Sequence, residues 1–142
     1  MSTQASARMR RRLRATAYHE AGHAVISLLC GIPFKEVTIA AGEDSFGHVL
    51  NNRWPPSMDR KRSFDDFRSD PKRRIYFENR ILIDCAGFAA QYKLTKKHDW
   101  KGAREDFQFA AELATETTYQ EDERRAFLRW IRVRAKAMME EP

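Results

Sequence analysis

Cysteine is nearly absent from this chain. It has two in 142 residues, Cys30 and Cys85, and neither belongs to a C-x-x-C pair. A disulfide-stapled scaffold is thereby excluded, and both thiols, set in apolar surroundings, are expected to be buried and free in a reducing compartment. Glycine (six) and proline (five) are also scarce, which argues against long flexible linkers. There is no low-complexity tract and no internal repeat at solenoid periods. Long hydrophobic runs are missing as well. The best, Ala24–Cys30, spans seven residues before Gly31, against roughly 20 needed to span a bilayer. It is also too short, and too closely preceded by His19, Glu20 and His23, for a secretory signal. A cytoplasmic protein without a transmembrane segment is expected.

What remains is a globular composition, 42% hydrophobic and 32% charged, which fits a single domain over 1–142 with a modest core. Net charge is +6. Arg8, Arg10, Arg11, Arg12 and Arg14 form one basic region, and Arg53 to Arg80 spans a second. Such surfaces attract nucleic acid, acidic proteins or anionic head groups. No stacking-aromatic module or zinc-finger spacing accompanies them, so a solvated positive face is the simpler expectation.

The periodicity predicts a mostly α fold with a small β-ribbon. Residues 1–7 are expected to be disordered, with a first helix from about Arg10 to Cys30. Its stripe is Leu13, Ala17, Ala21, Ala24 and Leu28, with Gly31 just past its end and Pro33 blocking continuation. Glu36–Ala40 and Phe46–Leu50 read as two strands joined by turn residues 41–45. Residues 51–70 read as a long basic loop with one short helix around Met58–Phe67. Asp70-Pro71 starts a helix running to about Lys93, with Ile75, Ile81, Leu82, Cys85, Ala86 and Ala89 as its apolar face. Two further helices are expected. One runs from Gly102 to about Tyr119, with Phe107, Ala110, Ala111, Ala114 and Thr118 on one face. The other covers Glu121–Glu140, with a stripe of Phe127, Leu128, Ile131, Ala135 and Met138.

The chemistry is concentrated in Tyr18-His19-Glu20-Ala21-Gly22-His23. Histidines at i and i+4 share one helical face, so His19 and His23 can bind one metal ion. Glu20 can then act from the open side as general base, the spacing of a zinc hydrolase. The motif runs straight into Ala24-Val25-Ile26, and burying two imidazoles and a carboxylate without partners would be costly. A bound metal removes that cost. A catalytic zinc needs a third protein ligand; His48, His98 and many acids are available, and spacing does not choose among them.

The segment Ala17-Tyr18-His19-Glu20-Ala21-Gly22-His23-Ala24-Val25 resembles the active-site segment of the FtsH-type ATP-dependent zinc metalloproteases. Val37-Thr38-Ile39, Phe46-Gly47-His48-Val49 and Ala86-Gly87-Phe88-Ala89-Ala90-Gln91 are similar to later blocks of that family. Gly102-Ala103-Arg104-Glu105-Asp106-Phe107 resembles its segment carrying the third zinc ligand. The resemblance covers about residues 8–118. It implies a helical array like the FtsH peptidase domain, built round a zincin-type active-site helix, and Asp106 as third ligand. Gln91 and Tyr92 stand where the family has paired acids, the 51–70 region is longer and more basic, and no G-x-x-x-x-G-K-[ST] loop is present. A stand-alone relative of the peptidase domain is therefore expected, served by a separate ATPase or forming an oligomeric ring.

The expected activity is zinc-dependent hydrolysis of unfolded or flexible polypeptides. Glu20 is the base, His19, His23 and Asp106 the ligands, and Phe46, Gly47, His48 and Val49 the edge along which substrate lies. The alternatives are a non-proteolytic metal-binding regulatory module and a protease acting on DNA-bound proteins through the basic regions.

Overall fold

Strong helix formers occupy most positions from Gln4 to Leu29, and they form one continuous helix, α1 (Thr3–Leu29). The computed structural model describes residues 3–40, 47–51 and 70–140. Because Ala5, Ala7, Arg8 and Met9 all favour helix, α1 already includes the residues from Thr3 onward that composition suggested were disordered. Arg8, Arg10, Arg11, Arg12 and Arg14 are all exposed on it. The helix stops in a Schellman arrangement. Gly31 takes φ +66°, its N–H donates to Leu28 O (3.1 Å), and Ile32 N–H donates to Ser27 O (2.9 Å). Glycine adopts this left-handed backbone without steric cost.

The buried face of α1 is not the predicted alanine stripe. Glu20, Gly22, His23, Ile26 and Ser27 are buried, whereas Ala21 is exposed and Leu28 is 68% exposed. The sites that face inward are those of the metal motif and its continuation at i+3 and i+4.

After Pro33 the chain forms β1 (Phe34–Thr38), paired antiparallel with β2 (His48–Asn51). Thr38 lies opposite His48 and Val37 opposite Val49, with a register irregularity between Phe34 and Glu36. The first strand thus begins and ends two residues earlier than the β-branched run suggested. Phe46, the 41–45 turn, the loop from 52 to 69 and its short helix lie outside the described residues.

Asp70 caps the next helix, α2 (Pro71–Thr95), accepting from Lys72 N–H at 2.9 Å, with Pro71 in its first turn. This is the start predicted from the sequence. From Ile81 to Ala90 nearly every α2 side chain is buried, the pattern of a helix covered on all sides. Accordingly, α2 packs against α1, α3 (Arg104–Thr115) and α4 (Glu121–Glu140). Phe77, Ile81 and Ile131 are fully buried, each contributing about 1.5–3 kcal/mol of transfer free energy. Ile75, assigned to the apolar face, is instead 58% exposed, because the face turns toward Phe77 and Ile81. α3 is shorter than predicted. Its last turn is closed by Thr117 and Thr118, whose hydroxyls donate to Ala114 O, drawing the backbone out of the helix.

The described residues thus form four helices and a two-stranded antiparallel sheet. Cys30 and Cys85 are both free. No helix among the described residues is long and apolar enough to cross a membrane.

Candidate metal centre

The centre forms where α1 crosses α2 and α3 begins. Gly22 and Gly87 make the crossing close. A Cβ on Gly22 would stand 2.6 Å from Ala86 O and Ala90 Cβ, and one on Gly87 would stand 2.6 Å from His19 Nε2 and against His23 Nε2. The bare backbone of Gly87 therefore lies directly under both imidazoles. From the other side, the first turn of α3 presents Asp106.

Three atoms converge. His19 Nε2 is 2.9 Å from Asp106 Oδ2, His23 Nε2 is 3.5 Å from it, and the two Nε2 atoms are 3.1 Å apart. Ligands at about 2.0–2.1 Å from a tetrahedral ion stand about 3.3 Å from one another, so the triangle has the right size. The side chains are largely shielded, with 12%, 9% and 26% exposure for His19, His23 and Asp106.

The far side of each ring settles what the near side offers. His23 Nδ1–H donates to Ile83 O at 2.7 Å, so its neutral Nε2 carries a lone pair. The Gln91 amide is oriented by Asp99, whose Oδ2 accepts from Gln91 Nε2 at 3.1 Å. Gln91 Oε1 then accepts from His19 Nδ1–H at 3.2 Å, leaving His19 Nε2 bare as well. Asp99 is itself fixed by Gly102 N–H, 2.8 Å from its Oδ1. Two imidazole lone pairs and a carboxylate oxygen thus face one another, and only positive charge between them, a proton or a metal ion, relieves their repulsion. The donor set fits a metal ion, and outer partners of this kind orient ligating histidines. His19, His23 and Asp106 can hold one.

The electrostatics agree. Burial works to raise the Asp106 carboxyl, but hydrogen bonds and charge from His19 and His23 bring it down to about 2. Burial likewise works to lower His23, but Asp106, Ile83 O and Glu20 leave it raised above its ordinary value. Glu20, 6% exposed, is raised by desolvation against the pull of His23 and His19. A buried carboxylate beside a cation site is the form a general base takes.

The other candidates fall elsewhere. His48 is exposed on β2 and acts on Glu20 only as a minor charge. His98 is a stacked ring, 4.4 Å from the Tyr92 centroid and 5.3 Å from that of Phe88. Neither joins the ligand group. Gly47 does approach the centre, since a Cβ there would lie 3.0 Å from Glu20 Cγ. Val49 lies two residues further along β2. The sequence points to Gly87 only as part of a block resembling a family segment, and to Gln91 only as a departure from that family's paired acids, and it assigns neither a place beside the histidines. The Gln91 contact joins residues 72 positions apart, and no local signal announces it.

No family model matches the chain, and no curated protein matches it.

Proposed function

We propose that the chain is a zinc-dependent metalloendopeptidase acting on unfolded or flexible polypeptides, related to the FtsH-type peptidases by the motifs quoted above. One observation carries this: lone pairs of His19, His23 and Asp106 meet at one point, with the buried Glu20 carboxylate next along the helix from the first of them. Two imidazoles and one carboxylate are a catalytic donor set, whereas structural zinc sites close all four positions with protein ligands.

A bound zinc ion supplies Lewis acidity, which makes water a nucleophile near neutral pH and polarises a carbonyl. Glu20 would take the proton of the attacking water and return it to the leaving amine, from a buried position one residue along the helix from His19. Gln91 and Ile83 O hold the imidazoles in the ligating tautomer. Among the described residues β2 pairs with β1 alone, so an extended peptide can add to its other edge, bonding through backbone at Gly47 and His48 beside Glu20. Val49 would contact its side chains. Backbone pairing asks for no particular sequence, which fits an unfolded substrate. These 142 residues carry no phosphate-binding loop, so action on folded substrates would draw on an unfolding activity outside them.

The test is metal content together with casein cleavage for the wild type and Glu20→Gln. The variant should keep its metal and lose about 10²–10⁴-fold in turnover. Full activity in Glu20→Gln would overturn the mechanism. A wild type that binds zinc and cleaves nothing would be a non-proteolytic metal-binding module instead.

A further inference from the structure

A cavity lies on the 85–88–89–92 face of α2, turned away from the residues that meet α1. It has a volume of about 180 Å³ and opens between α2, α4 and the connection from 96 to 103. Its walls are rings. Tyr92 and His98 stack at 4.4 Å and 13°, and Phe88 lies 4.6 Å from Trp100. Cys85 and Ala89 complete the apolar lining.

The surface of the cavity is almost wholly apolar, so the cationic side chains of α4 that border it line it with their stems. Arg129, Arg132 and Lys136 follow one another at i, i+3 and i+7, one face of α4, and all three line the cavity. Lys136 Nζ lies 4.9 Å above the Tyr92 ring and Arg132 is 5.9 Å from the Phe107 ring. Lys136 shares its charge with Glu140 at 4.0 Å. Arg129 and Arg132 have no carboxylate partner among the described residues. The one acid of the adjoining connection, Asp99, is already engaged by Gln91 and Gly102, and Lys96, Lys97 and Lys101 in the same connection add positive charge.

We propose that this cavity binds a small aromatic carboxylate, its ring packed against the continuous wall of Tyr92, His98, Phe88 and Trp100 and its carboxylate on Arg129 and Arg132 at the rim. The volume sets the size of the body, since a cavity of about 150 Å³ accommodates benzene. Stacked aromatic walls favour a flat ring in offset or edge contact. Guanidinium groups favour a carboxylate, which they bind in a two-pronged geometry. The site is separate from the metal centre and stands or falls independently of peptidase activity.

The test is an NMR titration of the full-length, zinc-loaded protein with benzoate, benzyl alcohol and acetate. Benzoate should shift the Trp100 indole and Val133 signals saturably, about tenfold more tightly than benzyl alcohol, and acetate should leave these signals unmoved. In the Arg129→Gln/Arg132→Gln double variant the preference for benzoate should vanish while benzyl alcohol still binds. Equal binding of benzoate and benzyl alcohol by the wild type would overturn the proposal. So would an absence of saturable shifts, or benzoate shifts confined to residues around His19 and Asp106, which would mark direct coordination to the metal.

Discussion

A methyl group at position 87 would sit in the space that the two imidazoles share. Its carbon would fall 2.6 Å from His19 Nε2 and against His23 Nε2, and α2 cannot retreat while it is packed on three helices. Gly87→Ala raises helix propensity by about 1 kcal/mol, yet it should abolish metal binding. The check is metal content measured beside a circular dichroism spectrum that keeps its helical signal. The same atoms set a pH dependence. In the metal-free protein His23 holds its proton to a pH above 6.5, so metal must displace it. Affinity should therefore rise by about tenfold per pH unit toward that raised value and level off beyond it, with proton release on loading; zinc titrations from pH 6 to 8 read this directly. For stability without metal the signs oppose each other. The raised His23 contributes fully below 6.5, and its contribution is lost as pH rises through its folded value. The lowered Asp106 contributes above 3.8, and its contribution is lost as pH falls through about 2.

At the scale of elements, the crossing of α1 and α2 depends on Gly22, where a Cβ would meet Ala86 O and Ala90 Cβ at 2.6 Å. Gly22→Ala should separate the helices and cost about 1–3 kcal/mol, read as a lower melting temperature with weakened metal binding. Element ends were legible wherever local chemistry sets them. Asp70-Pro71 and Gly31 act through their own backbone and side chain, and both do what their residue types predict. Helix faces were less legible. Along α1 the small apolar residues Ala17, Ala21 and Ala24 suit either side of a helix, and which side turns inward is decided by His19, His23 and their partners on α2 and α3. The strand limits shifted for a similar reason, because pairing with β2, not propensity, fixes where β1 stops.

At the scale of the molecule, the mostly helical class with a small ribbon was legible from periodicity alone. The centre was legible in half. His19, Glu20 and His23 lie within five residues and announce themselves. Asp106 stood among many acids until its likeness to a family segment singled it out, and the structure now places it 2.9 Å from His19. The chain Asp99–Gln91–His19 was not legible, because amide and carboxylate residues are common and only folding brings these together.

The contacts of the centre differ greatly in how far they reach along the chain. Gln91 and Asp99 are eight residues apart, and the turn at Lys96, with φ 56°, brings them together. His19 reaches Asp106 across 87 residues and His23 reaches Ile83 across 60. Closing long loops is the slow part of folding. The α2–α3 half can therefore organise early, while the two imidazoles dock late. Interactions completed after the transition state slow unfolding and leave the folding rate alone. Zinc should accordingly lengthen the lifetime of the native protein, with refolding rates the same in zinc and in chelator, a difference that stopped-flow unfolding and refolding would resolve.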